Sequence, residues 1–303
     1  MPILKNKIDF AVVIDVKNAN PNGDPVGENR PRTDNESYGE ISDVCLKWKI
    51  RNRLMQEKCQ IFVQSEDNRK DEYKSLKERF DAFLGEQKNI KENKDKIAVE
   101  SCKKWFDVRA FGQVFAFKAV NDKSDNANEE TGGKSSKKGV SIGVRGAVSV
   151  QPAFSIDPVN VTAVHITKSV NSETTKSGQK GSDTMGMKYR VDYGRYVLYG
   201  SINSELSNKN NFSEEDAEAL RNALITLFRN DASAARPEGS VEVAKVFWWK
   251  HNCSSGQYSS AKVFKTLSFP RRNSDKNPKS ADDYAEIVVN SLPGLEPIVY
   301  DGE

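Results

Sequence analysis

The stretch Ile8–Val16, IDFAVVIDV, is followed by Asn18–Arg53, which reads NANPNGDPVGENRPRTDNESYGEISDVCLKWKIRNR. Apolar residues occupy every second position of the first stretch, and this alternation predicts a strand with one strongly apolar face. Asn22-Gly23 is a turn signal within the polar loop that comes next. The order of strand, polar loop and helix sets the start of the fold.

A helix is predicted after the loop. Its apolar residues recur at helical spacing, which indicates an amphipathic helix of about five turns capped by Ser42 or a neighbour. They are Ile41, Val44, Cys45, Trp48, Met55 and Cys59.

The predicted helix also carries cations in two adjacent rows. Lys47 and Arg51 are four residues apart, as are Lys49 and Arg53. Either row matches successive phosphates of a nucleic acid, whereas a solvated helix face is the alternative. Two further cations in the preceding loop favour phosphate binding; they are Arg30 and Arg32.

Further elements follow along the chain. Strands are predicted at Trp105–Ala119, Val140–Val150, Val159–Thr167, Lys188–Asn203 and Val241–Trp249, and helices behind the Ser213 cap and at about Ala281–Ser291. The charged segment 61–104 is predicted to be a mostly solvated helical insertion, and Val120–Gly139 a low-complexity loop. Without insertions the order is β-α-β-β-α-β, an α+β ferredoxin-like arrangement that RNA-recognition domains share.

A polar excursion interrupts two of the predicted strands. Residues 168–183 are rich in Gly, Ser, Thr and Lys, which predicts an extended hairpin or arm. Met185, Met187, Lys188 and Arg190 lie at its base, around an aromatic residue. Flexible apolar side chains wedge against bases and cations hold phosphates, although a strand entering the core is the alternative reading.

Composition limits the class of protein. The 303 residues carry 46 Lys and Arg against 43 Asp and Glu, so a basic surface requires local clustering. The four cysteines form no CxxC pair and there are only two histidines, which argues against zinc and disulfide frameworks. The apolar N-terminal run is too short to span a membrane and has no signal-peptide layout, so we expect a cytoplasmic protein without a membrane partner.

Support for catalysis is weak. His165 and His251 fit structural roles better than that of a general base, and Gly133-Lys134-Ser135 lacks the spacing of a phosphate-binding P-loop. Asp24 and Asp34 lie in the glycine-bearing loop, where turn formation is commoner than metal binding. We therefore expect no catalytic residue, cofactor or metal.

Several segments together resemble the backbone subunit of type I CRISPR Cascade complexes, the Cas-seven family, in its type I-C form. They are NPNGDP (Asn20–Pro25), PRTD (Pro31–Asp34), ISDVCLKWKIRN (Ile41–Asn52), VRGAVSVQPAFSIDPV (Val144–Val159) and TMGMKYRVDYGRYVLYGSIN (Thr184–Asn203). The resemblance covers essentially the whole chain.

The resemblance implies a right-hand-like architecture in a prokaryotic protein. Residues of about 1–60, 105–167 and 184–303 would form a ferredoxin-like palm, 61–104 the fingers and 168–183 a hairpin thumb. Copies would stack head to tail along a guide RNA beside other Cascade subunits. Each thumb would displace bases at regular intervals, and the bases between would pair with target DNA.

Site residues follow by motif from the same resemblance. Ser42, Lys47 and Arg51 would contact guide phosphates, with Lys49 beside them and Arg30 and Arg32 as softer candidates. Met185, Met187, Lys188 and Arg190 would lie near the thumb base and the RNA, and Arg145 is a further candidate. Trp48 departs from the family pattern, which often has a cation there.

Two other functions remain open at this point. Related type III backbone subunits cut RNA with a loop aspartate, so a metal-dependent ribonuclease using Asp24 or Asp34 is one alternative. A ferredoxin-like RNA-binding protein that acts alone is the other. Cleavage of complementary RNA with magnesium distinguishes the first, and a monomer on RNA distinguishes the second.

Overall fold

The computed structural model describes residues 2–86, 93–117, 140–167 and 185–303. The predicted low-complexity loop, the GKS sequence within it and the predicted arm 168–183 lie outside the described residues.

The strands run in chain order. They are β1 (Ile8–Ala19), β2 (Gly23–Asp24), β3 (Arg30–Pro31), β4 (Tyr38–Ile41), β5 (Gly112–Phe117), β6 (Val140–Arg145), β7 (Val148–Val150), β8 (Ala153–Pro158), β9 (Val161–Thr167), β10 (Met185–Ile202), β11 (Val241–Lys250), β12 (Leu267–Ser268), β13 (Val288–Val289) and β14 (Ile298–Asp301). The helices are α1 (Asp43–Gln56), α2 (Leu76–Glu86), α3 (Lys94–Lys104), α4 (Phe106–Phe111), α5 (Ser204–Asn210), α6 (Glu214–Ile225) and α7 (Ser260–Phe264).

One large antiparallel sheet organises the chain. Its strands lie in the order β14-β11-β1-β10-β8-β4, and β7 and β9 pair with opposite ends of the long strand β10. In chain order β1, α1, β8, β10, α6 and β11 follow one another, with β11-β1-β10-β8 as neighbours in space. A large antiparallel sheet combined with helices agrees with the predicted α+β class, although β8 is not among the strands that the sequence predicts.

Both faces of the sheet are covered. On one face, Phe10, Val12 and Ile14 of β1 share a core with residues of α1 and α6, including Leu46 and Leu220. The α6 helix begins at the predicted cap, where Ser213 and Asp216 form a reciprocal capping box. On the other face, a second core joins the sheet to the C-terminal segment; it includes Ala11, Val13, Phe247, Trp249, Val263 and Leu267.

The insertion after α1 is mostly solvated as expected, since most of its described residues are at least partly exposed, but it also contributes to a separate hydrophobic core. The core draws on α2, α3 and the β5–β6 hairpin, through Phe62, Phe80, Phe83, Ile97, Trp105, Phe115 and Ile142. The strand predicted over Trp105–Ala119 is instead helix α4 followed by β5, because Trp105 and Phe106 enter different cores. Aromatic content alone does not separate those two environments.

The C-terminal helix predicted at about Ala281–Ser291 is also wrong. That stretch holds a single 3₁₀ turn, Ala281–Asp283, and strand β13, which pairs with β12. Tyr284 is buried between them and donates its hydroxyl proton to Asp157 of β8. Tertiary contacts therefore override the helical pattern. No helix within the described ranges is both long and apolar enough to cross a bilayer.

Candidate nucleic-acid interface

The stem of an antiparallel hairpin projects from the sheet where β9 pairs with the first part of β10. Met185 pairs with Thr167 at its outer end and Val191 with Val161 at its inner end. Met185 is 76% exposed and Met187 is 40% exposed. The segment at the base of the predicted arm is thus a solvent-facing ladder rather than a strand entering the core.

The two faces of this stem differ in chemistry. Since successive side chains of a strand alternate between faces, Met185 and Met187 share one face with Tyr189, and Lys188 and Arg190 occupy the other. Lys188 donates a proton from Nζ to the backbone oxygen of Ala234, at 2.9 Å. The mixed sequence therefore separates into an apolar, aromatic face and a cationic face.

The loop before α1 packs directly against the stem. The Arg30 guanidinium carbon lies 4.4 Å from the centroid of the Tyr189 ring, a cation–π contact. Tyr189 donates its hydroxyl proton to Glu28 at 2.6 Å. Glu28 and Asn29 both have left-handed backbone conformations, with φ of 56° and 59°, so this turn is strained where it meets Tyr189. The two segments that the sequence singled out are neighbours in space.

A cleft of about 440 Å³ opens where loop, stem and the 234–237 segment meet. It is lined by Asn18, Asn20, Glu28, Asn29, Val164, Met187, Lys188, Tyr189, Arg190, Ala234, Ala235 and Pro237. Among the described residues, Arg30 and Lys188 form no ion pair, and Arg190 reaches Asp192 only at 3.8 Å. Cations without strong partners beside a cleft of mixed polar and apolar lining suit a phosphate-bearing ligand.

Helix α1 does not present the predicted rows of cations. Ser42 is the N-cap and accepts a hydrogen bond from the Cys45 backbone N–H at 3.3 Å. Lys47 is partly exposed and pairs with Asp43 at 2.9 Å. The first turn of α1 is therefore accessible, although its one lysine already has an acidic partner.

The second row is buried. Lys49 is 2% exposed and ion-pairs with Asp231, and burial lowers its pKa against the opposing effect of that carboxylate. Arg51, which belongs to the first row, is partly buried and donates from Nε to the buried carboxylate of Asp107 at 3.0 Å. Arg53 is bound by Thr226, whose hydroxyl lies 2.6 Å away. The expectation that Lys49 lies on a phosphate-binding face does not fit its burial. Arg51 neutralises a buried carboxylate, so its guanidinium is already paired within the protein.

The remaining predicted cations lie apart from each other. Arg32 is near the loop and pairs with Asp24 at 3.7 Å. Arg145 is exposed at the end of β6, beside Lys209, in a different cleft of about 410 Å³ between α3 and α5. The structure therefore does not bring Arg145 to the hairpin stem.

The acidic loop residues form turns. Asp34 Oδ1 accepts hydrogen bonds from the backbone N–H groups of Glu36 and Tyr38, both at 2.9 Å. Asp24 Oδ1 accepts from Val26 at 3.2 Å. Within the part of the chain that the structure describes, no three His, Cys, Asp or Glu side chains are grouped to hold a metal ion.

The histidines have separate environments. His251 is buried and lies 2.9 Å from Asp9, while its Nδ1 accepts from the Gln257 backbone N–H. His165 is exposed on β9 opposite Met187. Among the described residues, neither histidine is part of a Ser-His-Asp type of triad.

The sheet itself is closed to bases. RNA-recognition domains stack bases on aromatic residues of an open sheet face. Here Tyr199 of β10 stacks on Phe264 of α7 with ring centroids 4.7 Å apart, and the C-terminal segment covers that face. The sheet face opposite α1 and α6 therefore cannot bind RNA by stacking bases on its aromatic residues.

Sequence reasoning missed Tyr189, Glu28 and Asn20. In the sequence, Tyr189 is only an aromatic residue among cations, and Asn20 is only the start of a family motif. The stacking of Arg30 on Tyr189 joins residues 159 positions apart, which spacing along the chain does not reveal.

Comparison with known proteins identifies the family. Residues 6–290 match the family of CRISPR-associated protein Cas7. The chain belongs to the Cas7 family. A CRISPR-associated protein Cas7 from Haloferax volcanii is 24% identical over 230 residues, which is 76% of this chain and 66% of that protein, just under two thirds.

Two solved structures are more distant. The first is described as "CRISPR RNA-guided surveillance complex, pre-nicking" and is 15% identical, with a TM-score of 0.44. The match covers 86% of this chain and 82% of that chain. Another CRISPR RNA-guided surveillance complex is 16% identical with a TM-score of 0.43, covering 88% of this chain and 77% of that chain.

Proposed function

We propose that this Cas7-family protein is a non-catalytic scaffold that binds a CRISPR guide RNA in a type I-C Cascade complex. Copies stack head to tail along the RNA in the cytoplasm, beside other Cascade subunits, and leave guide bases free to pair with target DNA. The observation that carries the proposal is the meeting of the Arg30 loop and the Met185–Arg190 stem at one cleft.

The elements take the roles of a hand in this proposal. The β-α-β-β-α-β sheet is the ferredoxin-like palm, the α2–α3 insertion is the fingers, and the β9–β10 stem is the base of the thumb. Heterologous stacking that does not close gives an open helix in which every copy uses the same residues. A guide of any sequence is bound only if contacts are made to its backbone.

Fewer residues are proposed to contact RNA than the sequence suggests. Arg30, Lys188 and Arg190 hold phosphates, and Met185 and Met187 wedge against bases, because these side chains are exposed beside the cleft. Ser42, Lys47 and Arg32 flank this surface, and Arg145 contacts nucleic acid only from its separate cleft. Lys49 and Arg51 are left out because both are bound to buried or half-buried carboxylates.

The salt dependence of RNA affinity tests the proposal. In the double variant Lys188→Gln and Arg190→Gln, the slope of log affinity against log salt falls by about 0.7 for each lost phosphate contact on single strands. The matched control is Lys5→Gln with Lys265→Gln, which removes two exposed lysines elsewhere. Equal slopes in the two double variants, or no RNA binding by the parent, contradict the proposal.

Cleavage assays address the ribonuclease alternative. Incubation of the RNA-bound protein with complementary RNA and magnesium gives no products if Asp24 and Asp34 only form turns. Specific fragments that disappear in Asp24→Asn or Asp34→Asn overturn the non-catalytic assignment. Sedimentation on RNAs of increasing length tests stacking, because a protein that acts alone does not add copies regularly.

A further inference from the structure

The cleft beside the hairpin stem contains an unpaired acceptor. Asn20 is 3% exposed and lines the cleft. Its Nδ2 donates to the Asn29 backbone oxygen at 2.7 Å, which fixes the orientation of the amide. Its Oδ1 is buried and accepts no hydrogen bond from any described residue.

Such an atom is unusual in a folded protein. Buried polar atoms are nearly always hydrogen-bonded, because an acceptor removed from water without a donor costs free energy. Glu28 and Asn29, two exposed residues of the loop turn, line the same cleft as Asn20. A small outward shift of that turn admits a donor from the cleft.

The chemistry of the required donor narrows the ligand. A phosphate diester has no proton to donate at neutral pH, and the donors on bases differ from one guide sequence to another. The ribose 2′-hydroxyl is a donor present in every ribonucleotide, and it distinguishes RNA from DNA. Lys188 and Arg190 on the same cleft place cations where the adjoining phosphates of that nucleotide require them.

We propose that Asn20 Oδ1 accepts a hydrogen bond from the 2′-hydroxyl of one guide nucleotide seated in this cleft, so that Asn20 selects RNA over DNA. The inference rests on the proposed function. It adds a sugar-specific contact to a surface that otherwise contacts phosphates and wedges bases.

Oligonucleotides of one sequence with different sugars test the inference. The full chain is titrated with a short ribo-oligomer, its 2′-fluoro analogue and its 2′-deoxy analogue, by fluorescence anisotropy at fixed salt. The 2′-fluoro sugar keeps an RNA-like shape but has no proton to donate. The parent is expected to bind the ribo-oligomer about 3–10-fold more tightly than either analogue, the value of one hydrogen bond.

Variants locate the effect. In Asn20→Ala the ratio of ribo to 2′-fluoro affinity falls to about one. Asn22→Ala is the matched control, because Asn22 Oδ1 binds the Ser42 backbone N–H in the same loop but does not line the cleft. Thermal unfolding confirms that each variant folds.

The outcomes separate the two proposals. RNA binding with equal affinity for the ribo and 2′-fluoro oligomers overturns the role of Asn20 and leaves the scaffold proposal standing. So does an unchanged ratio in folded Asn20→Ala. A third outcome is an affinity that depends on the base, measured with oligo(U) against oligo(A), and not on the sugar. It would assign the donor to a base and would also overturn the role of Asn20 in sugar recognition. Absence of RNA binding removes both proposals.

Discussion

The guanidinium of Arg30 stacks on the ring of Tyr189 with 4.4 Å between its central carbon and the ring centroid. A guanidinium nitrogen of Arg30 also lies 3.4 Å from the Tyr189 hydroxyl, which itself donates to Glu28. One aromatic side chain, 8% exposed, thus holds both the cation and the strained turn of the loop against the hairpin stem. Loop and stem therefore form a single surface.

This contact predicts graded effects of substitution at Tyr189. Tyr189→Phe keeps the ring beneath Arg30 and loses the bond to Glu28, so RNA affinity falls by less than about 3-fold. Tyr189→Leu removes the ring as well, and affinity falls about 5-fold or more, since a cation–π contact contributes about 0.5–2 kcal/mol. Anisotropy titration with one RNA at constant salt measures both.

A matched control distinguishes this effect from general loss of packing. Tyr258 carries Lys262 over its ring at 4.6 Å, in a separate part of the fold. Tyr258→Leu should leave RNA affinity unchanged. The role of Tyr189 is disproved if Tyr189→Leu binds RNA as tightly as the parent while remaining folded.

Arg51 and Lys47 are predicted to contribute very differently to the free energy of unfolding. Arg51 is bound to Asp107, which is 1% exposed and also accepts from the backbone N–H groups of Phe62 and Val63. Arg51→Ala leaves that buried carboxylate without its cation and lowers the free energy of unfolding by about 3 kcal/mol. Lys47→Ala breaks a partly exposed pair and costs about 0.3–0.5 kcal/mol.

Urea denaturation gives both free energies of unfolding. Asp107→Asn is the companion variant, since it removes the charge that Arg51 neutralises but keeps an acceptor for the backbone. Near-equal losses in Arg51→Ala and Lys47→Ala would show that the buried pair contributes no more than a surface pair. RNA affinity of folded Arg51→Ala at low temperature is expected to match the parent.

These residues also show what sequence can and cannot predict. Alternation in Ile8–Val16 and the Ser213 cap depend on near neighbours, and both elements are present. The i,i+4 spacing of Lys49 and Arg53 is equally local, but their environment is set by Asp231 and Thr226, more than 170 residues away. Helical spacing therefore cannot tell a solvated cation from a buried one.

The two segments of the candidate site can be singled out from the sequence, but their contact in space cannot. Motif resemblance singled out the Arg30 loop and the Met185–Arg190 segment, and the strand pattern placed the second at the base of an arm. Their contact depends on the register of β9 with β10 and on the turn at Glu28–Asn29. Neither the register nor the positive φ angles of that turn follow from residue type.

Lys49 gives a prediction for the pH dependence of stability. Burial lowers its pKa below the unfolded value of 10.5, so the unfolded chain binds more protons in the range just below 10.5. Stability contributed by Lys49 therefore rises with pH through that range. Lys49→Met removes this contribution, and Asp231 keeps Arg236 as a partner at 3.1 Å.

The measured quantity is the difference in unfolding free energy between parent and Lys49→Met. It should increase from pH 8 towards 10, while at neutral pH the two proteins differ by about 1 kcal/mol or less, since Asp231 keeps Arg236 as a partner and the cost of burying the lysine charge is removed. Lys5→Met, an exposed site, controls for the change in net charge. A difference that shrinks as pH rises contradicts the assigned direction.

Tyr196 provides a prediction of the opposite kind, a substitution that should not destabilise. Its side chain is fully buried, and its hydroxyl has no hydrogen-bond partner among the described residues. Burial also raises its pKa. The hydroxyl lies so close to Gly39 that a Cβ added there would be 2.2 Å from it. Tyr196→Phe removes an unpaired polar atom and keeps the ring.

The expected gain in unfolding free energy is about 1 kcal/mol, because an unsatisfied buried hydroxyl is costly. Tyr193 on the same strand is the matched control, since its hydroxyl donates to Asp15 at 2.9 Å. Tyr193→Phe should lose about 1–2 kcal/mol, as Asp15 then loses a donor. If Tyr196→Phe is destabilised as much as Tyr193→Phe, the Tyr196 hydroxyl has a partner in solution.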